Sequence, residues 1–286
     1  MAHGRGGEVE VKLRRDLGLL EIVMIGFGPT IGSTVFLLIG PGYLIAGPSL
    51  ILGFLLNFIV TMFTAMAYME LGSAFPETGG GYLWIRRAMR DPLGFLGGWM
   101  SWFSHTIVAS FYIFGFGLAA TVLLKVFLGL PSLVLALGPI VLNEADLQKL
   151  FAVAAAGAFI WLNYRGTRLT GRSETGVALG LIAIAVAFIA FGLLSIFRQP
   201  VFPVQNFEPF FRGTGAIGQS VALLGAMGFT FIVFEGYEII AQTGEEVKHP
   251  ERNIPPAHFI VIGVSTVIFI LMAFAAVGIA GNCTPG

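Results

Sequence analysis

Two carboxylic acids interrupt one of the most apolar stretches of the chain. Glu235 and Glu238 lie in the segment Phe234-Glu235-Gly236-Tyr237-Glu238, with apolar residues on both sides. Inside a membrane, a carboxylate at the centre of a lipid-facing helix costs about 2.5–3.5 kcal/mol, so such acids are expected to face a cavity or a partner. We therefore expect Glu235 and Glu238 to belong to a functional site, as groups that attract a cation or carry a proton. The alternative for Glu238 is a solvated position near the cytoplasmic end of its span.

A second interruption is predicted near the start of the chain, where Gly26, Gly28, Pro29 and Gly32 fall in one apolar stretch. Proline lacks an amide hydrogen and clashes with the preceding helical turn, whereas glycine permits unusual backbone angles. A helix broken here would free amide groups at residues 31–35, which attract anions. A break at the acidic segment would free carbonyl groups at residues 230–234. Together the two breaks suit a zwitterion such as an amino acid; the alternative for the first is a kinked, tightly packed helix.

The composition indicates that these interruptions lie in a membrane. Hydrophobic residues make up 56% of the 286 residues and charged residues only 11%, against about 45–50% and 25% in soluble domains. This excludes a disordered chain and disfavours a soluble enzyme. The 16 basic and 16 acidic residues give no basic excess for nucleic acid, and Cys283, the one cysteine, has no partner for a disulfide.

Seven stretches are long and apolar enough to cross a bilayer as helices, because a crossing needs roughly 20 apolar residues. They cover about residues 17–44, 49–72, 93–124, 147–164, 175–197, 217–243 and 256–280. Residues 1–16 form a tail before the first span, and residues 198–216 form an external loop. The apolar but proline-interrupted connection at residues 129–146 is predicted to be an interfacial segment.

The distribution of Lys and Arg predicts the orientation. Twelve of the 16 basic residues fall in the tail and in the loops after spans two, four and six. The positive-inside rule then places the N-terminus in the cytoplasm of a multi-pass protein of the cell membrane. The two interruptions fall in spans one and six, which run in opposite directions. That pattern is typical of secondary transporters built from two inverted five-helix repeats.

Three sequence blocks resemble the amino acid–polyamine–organocation (APC) superfamily. They are GFGPTIGSTVF at residues 26–36, ELGSAFPETGGGY at residues 70–82, and FEGYE at residues 234–238 followed by EEVKHPERNIP at residues 245–255. The resemblance implies an all-α LeuT-type fold of five plus five inverted helices. This chain would hold the first repeat, residues 17–197, and the first two helices of the second, residues 217–286.

The resemblance also implies which residues hold the substrate. The amides of Gly32, Ser33 and Thr34 would bind a carboxylate and the carbonyls near Phe231 and Phe234 an amine, with Tyr237 or Phe234 as an aromatic gate. The full predicted set is Gly28, Gly32, Ser33, Thr34, Phe231, Phe234, Glu235, Gly236 and Tyr237, with Glu235 and Glu238 as coupling candidates. Glu235 stands where the family more often has an uncharged residue, so it favours a cationic substrate or acts as a protonatable coupling group.

The expected function is therefore ion-coupled, alternating-access transport of an amino acid or related amine, driven by H⁺ or Na⁺. The sequence contains no clustered catalytic set, no cofactor motif and no metal-ligand spacing. His105 is expected to be a packed histidine or a proton relay.

The resemblance calls for at least ten spans, so the chain is expected to be truncated after the seventh. The alternatives are a fragment or subunit that needs a partner chain and, less favoured by the charge bias, a seven-helix receptor. The sequence leaves the oligomeric state open.

Overall fold

The computed structural model describes residues 15–137, 140–165 and 167–280, and these residues are mostly helical. Most of the N-terminal tail and Cys283 lie outside the described residues. The helices are α1 (Leu19–Thr30), α2 (Ser33–Ala46), α3 (Leu50–Ala74), α4 (Gly80–Met89), α5 (Asp91–Leu128), α6 (Glu144–Arg165), α7 (Thr167–Phe197), α8 (Gly215–Thr230), α9 (Ile239–Gln242) and α10 (Pro250–Ala280).

Six helical stretches of the described residues, not seven, are long and apolar enough to cross a bilayer, and they make this a polytopic membrane protein. The count differs because α2 and α3 join without a gap into one helical stretch, Ser33–Ala74, and because α1 is separate from it. In the numbering of the seven predicted spans, the first comprises α1 and α2, the third is α5, and the sixth comprises α8 and α9. With 12 residues, α1 is about 18 Å long and too short to cross the hydrocarbon core alone. Helix α2 joins α3 through one 3-10 turn at Gly47–Ser49. Gly47 has a φ of 67°, and Gly42 lies close to Leu50, so the chain reverses between these two helices.

The sixth predicted span is also interrupted. Helix α8 ends at Thr230, a 3-10 turn follows at Phe231–Phe234, and Glu235 is extended before the short helix α9. Asn57 of α3 supports the end of α8, because its side-chain amide donates to the Met227 carbonyl at 3.0 Å and to the Thr230 hydroxyl at 3.3 Å. The last turn of α8, just before the break, is therefore held in place by α3.

The predicted all-α class is confirmed, and the connection between α5 and α6 adds one short strand pair. There β1 (Leu135–Leu137) pairs antiparallel with β2 (Ile140–Leu142). Pro131 and Pro139 oppose a helix in this short apolar segment, and a strand pair satisfies its backbone groups instead. Residues 138–139 lie outside the described part of the chain.

Close packing around α1, α3 and α10 forms the core of the described bundle. The ring of Phe269 on α10 contacts Phe54 on α3 and Phe234 at the second break, with centroid distances of 5.8 and 5.3 Å. Small residues bring backbones together: a Cβ added to Gly26 would lie 2.9 Å from Val261, and one added to Gly72 would lie 3.1 Å from Ala241. Such contacts matter in a bilayer, where lipid tails are as apolar as the side chains.

The two interrupted spans are tied together at both ends. Before α1, the Leu17 amide donates to the Glu246 carbonyl at 3.0 Å, and the Lys248 amide donates to the Leu17 carbonyl at 2.8 Å. At the far end, the Arg212 guanidinium donates to the Leu44 carbonyl at 2.7 Å. Helices α1 and α9 pack together, and so do α2 and α8. The two breaks are consequently held at the same depth.

Candidate functional site

The two helix breaks touch each other through backbone. Gly236 has a φ of 120°, which side-chain-bearing residues rarely adopt. A Cβ added there would lie 2.8 Å from the Pro29 Cβ and 2.9 Å from the Thr30 amide nitrogen. Glycine at position 236 therefore permits both the backbone turn and the close approach of the two spans. The sequence predicts both breaks but gives no sign of this contact.

Tyr112 of α5 supplies a hydrogen bond at the first break. Its hydroxyl donates to the Pro29 carbonyl oxygen at 2.6 Å. In a continuous helix that carbonyl would accept from the amide of residue 33, so the tyrosine replaces a hydrogen bond that the break removes. Tyr112 is absent from the predicted site because nothing in the sequence links a residue of the third span to position 29.

Helix α5 covers the predicted carboxylate-binding residues at the start of α2. A Cβ added to Gly32 would lie 2.6 Å from the Tyr112 ring, and one added to Gly115 would lie 2.9 Å from the Ser33 hydroxyl oxygen. The hydroxyls of Ser33 and Thr34 are buried and have no hydrogen-bond partner among the described residues. Because Gly115 of α5 lies against Ser33, the Ser33 hydroxyl is available to a ligand only if α5 moves.

A cavity of about 680 Å³ lies beside the second break, between α3, α5 and α8. Its lining includes four of the predicted residues, Phe231, Phe234, Glu235 and Tyr237, together with Glu238. Gly28, Gly32, Ser33 and Thr34 do not line it, and Gly236 faces Pro29 instead. Among the described residues, the predicted substrate set thus separates into a group that lines the cavity and a group in the first span that does not.

Glu235 points a carboxylate into this cavity and is half-buried. Its Oε1 accepts a hydrogen bond of 2.6 Å from the Ser104 hydroxyl of α5. Ser104, like Tyr112, was not predicted. Both residues lie on α5, the helix that faces the two breaks.

Glu238 is engaged on both carboxyl oxygens and is only 9% exposed. Its Oε2 accepts from the Gly236 amide at 2.8 Å, which satisfies a donor that the break sets free. Its Oε1 lies 3.4 Å from Nε2 of His105 on α5, which is ion-pair distance. Glu238 therefore connects the break in the sixth span to the third span.

The hydrogen bonds of His105 determine where its protons lie. Nδ1 is 2.7 Å from the Ser101 carbonyl oxygen, and a carbonyl only accepts, so Nδ1 carries a hydrogen. An attractive contact between Nε2 and Glu238 then requires one more proton, either on the ring or on the carboxyl group. The pair formed by His105 and Glu238 is thus arranged to hold one exchangeable proton. A lone histidine in an apolar span, beside acids elsewhere in the membrane, is the sequence signal for such a pair.

The fold also groups three ligand-type side chains that the sequence keeps apart. One atom each of His105, Glu235 and Glu238 lies within 4.8 Å of the others, close enough for a cation. However, Oε2 of Glu238 accepts from the Gly236 amide, its Oε1 is at ion-pair distance from His105, and one oxygen of Glu235 accepts from Ser104. We therefore describe this group as a cluster of two hydrogen bonds and one ion pair and not as a metal site.

Aromatic rings close the cavity toward α4. The Tyr237 ring packs edge-on against Tyr68 at 5.8 Å, and Tyr68 packs against Trp84 of α4 at 5.5 Å. The Phe234 ring, in contrast, is buried against Phe269 in the core. Of the two residues expected to form a gate, Tyr237 is the one in a ring contact at the cavity.

The loop after α3 packs against the segment that follows the second break. The Thr78 amide donates to the Glu245 carboxylate at 3.0 Å, and a Cβ added to Gly244 would lie 2.9 Å from the Pro76 Cα. The two family-like blocks in these loops are therefore in direct contact.

At the end of α4, Arg86 donates to Asp91 at 3.0 Å, and this hydrogen bond raises the pKa of the Arg86 guanidinium.

Comparison with known proteins identifies relatives along nearly the whole chain. The chain is 25% identical to the branched-chain amino acid permease BcaP of Bacillus subtilis over 272 residues, which are 94% of this chain and 56% of that protein. It is 29% identical to an uncharacterized transporter of Mycobacterium tuberculosis over 277 residues, 96% of this chain and 55% of the relative. A methylthioribose transporter of Bacillus subtilis is 27% identical over 269 residues, 93% of this chain and 55% of the relative. The chain spans about half the length of these curated relatives.

The family model described as amino acid permease matches residues 21–284. That match includes both helix breaks, the cavity and the loop blocks that lie against each other. The chain belongs to the amino acid permease family of the APC superfamily.

Proposed function

We propose that this protein is a secondary active transporter that moves an amino acid or a related amine across the cell membrane. The observation that carries the proposal is the contact between two interrupted helices beside a cavity lined by carboxylates. Irregular backbone inside a membrane is tolerated where it is buried in protein or lines a water-filled cavity. The permease and transporter names of the relatives support the same activity.

We place the substrate in the cavity at the second break, with its α-amine at the carbonyl groups near Phe231 and Phe234 and the end of its side chain toward Glu235. Access would alternate by movement of α1 and the sixth span against α5, which contacts both breaks through Tyr112 and Ser104. This mechanism corresponds to a LeuT-type arrangement, of which the chain would supply the first repeat and two helices of the second.

We propose H⁺ as the coupling ion. Support comes from the pair formed by His105 and Glu238, which holds one proton between the third span and the second break. Loss of that proton would leave an imidazole lone pair facing a carboxylate at 3.4 Å, so the contact would become repulsive. A change in protonation would therefore change a contact that Glu238 makes next to the break.

The test is uptake by proteoliposomes that contain the purified chain. Labelled amino acids are supplied under an imposed pH gradient, an imposed Na⁺ gradient, or neither. Uptake stimulated by the pH gradient is expected, and stimulation by Na⁺ alone would contradict the proposed coupling. Specific binding without uptake would favour the alternative in which the chain needs a partner, and an absence of both would overturn the transport proposal.

A further inference from the structure

Glu235 differs from the other carboxylate of the cavity in having an unused oxygen. Its Oε1 accepts from Ser104, while its second oxygen makes no hydrogen bond or ion pair with any described residue. Glu238, by contrast, uses one oxygen for the Gly236 amide and the other for His105. The acceptor that remains available to a ligand in this cavity therefore belongs to Glu235.

The charges around the cavity leave one carboxylate in excess. The described lining contains two glutamates and one histidine, and it contains neither lysine nor arginine. His105 lies within 4.8 Å of both glutamates, and one imidazolium can neutralise only one of the two carboxylates. A carboxylate inside a membrane protein normally has a partner, since its burial without one is costly. The missing counter-charge is thus expected to come from a ligand.

Apolar side chains supply the other part of the lining. Met100, Phe103 and Ile107 extend along one side of α5, next to Ser104, and Phe231 adds an aromatic ring from the second break. A ligand that reaches Glu235 must lie along these groups. The geometry suits a cationic group carried on an aliphatic stem, because the stem can contact apolar side chains while the charge pairs with the carboxylate.

We propose that Glu235 selects substrates with a cationic side chain, such as an ammonium or guanidinium group at the end of an aliphatic chain. This inference rests on the proposed function and gives it a substrate class. A neutral aliphatic amino acid would bury the free oxygen of Glu235 without a partner, which disfavours its binding. The charge of the side chain, more than its length, would determine specificity.

The experiment measures equilibrium binding of labelled L-arginine, L-citrulline and L-leucine to the purified 286-residue chain in lipid nanodiscs. Citrulline has nearly the same shape as arginine but a neutral end group. Both end groups can donate to the Glu235 carboxylate, but only the guanidinium brings a positive charge, so arginine is expected to bind about tenfold or more tighter than citrulline. This comparison needs no variant, so it holds even if a substitution impairs folding.

The variant Glu235→Gln keeps the shape of the side chain and removes its charge. It is expected to bring arginine affinity within about threefold of citrulline affinity, while Glu208→Gln, in an exposed loop, retains the preference. Equal binding of arginine and citrulline by the unmodified chain would overturn the inference. If leucine also binds in that case, the proposed amino acid transport stands without the charge selectivity assigned to Glu235. If none of the three amino acids binds, both proposals are overturned.

Discussion

The Tyr112 hydroxyl lies 2.6 Å from the Pro29 carbonyl oxygen, so the third span supplies the hydrogen bond that the first span loses where it breaks. The two residues are 83 positions apart in the chain. Their contact fixes the end of α1 against a helix that also bears Ser104 and His105. The break is therefore supported from outside its own span.

Removal of that donor should destabilise the fold. We expect Tyr112→Phe to lower the free energy of unfolding by about 1–3 kcal/mol, because the partly buried carbonyl of Pro29 would lose its partner. Thermal unfolding in detergent would measure the change. Tyr164→Phe is the matched control, since Tyr164 is 89% exposed. Equal melting temperatures for the two variants would contradict the role assigned to Tyr112.

Position 236 should tolerate no side chain. Gly236→Ala places a Cβ 2.8 Å from Pro29 and puts alanine at a φ of 120°. The backbone strain alone costs about 1–3 kcal/mol. We expect low yields of folded protein and loss of amino acid binding, measured by size-exclusion chromatography and nanodisc binding. Gly263→Ala, where a Cβ would meet nothing within 4 Å, should behave like the unmodified chain. Normal binding by the Gly236 variant would show that the two breaks do not need to touch.

The proton held by His105 and Glu238 gives a prediction for coupling. We expect His105→Gln to abolish the stimulation of uptake by an inward pH gradient, because glutamine does not take up a proton. Substrate binding at constant pH should persist. His249→Gln, in an exposed loop, should keep the stimulation. A gradient response that survives in the His105 variant would assign coupling to another group.

The charge distribution predicts the orientation. In a Cys283→Ser background, Glu208→Cys should react with a membrane-impermeant thiol reagent on intact cells, since residues 198–216 are expected outside. Arg90→Cys, also at an exposed position, should react only after permeabilisation. The reverse pattern would place the N-terminus outside.

Much of the architecture could be predicted because lipid imposes strong rules on the sequence. Apolar runs of sufficient length and clustered Gly and Pro indicated the long helices and the two places where they break. The count of six long helices was not predicted, because α2 and α3 join through a single turn and α1 is too short to cross. The strand pair between α5 and α6 was also missed, since short apolar segments with proline fit several structures.

The candidate site was harder to predict than the helices. Glu235 and Glu238 were conspicuous as acids in an apolar span, yet nothing in their spacing distinguished the bonded carboxylate from the free one. That distinction depends on Ser104, His105 and the Gly236 amide, which come from other parts of the chain. Contacts between distant spans depend on packing, and packing leaves no periodic signal in a single sequence.

The backbone hydrogen bonds between Leu17 and the segment at residues 246–248 have a mechanical consequence. A tilt of α1 that preserves both bonds must pull the start of α10 with it, because Lys248 lies two residues before that helix. The short segments of the two interrupted spans on the side of Leu17 and Lys248 would then move as one unit about the contact between Gly236 and Pro29. A displacement of either segment would then move the other through backbone hydrogen bonds alone.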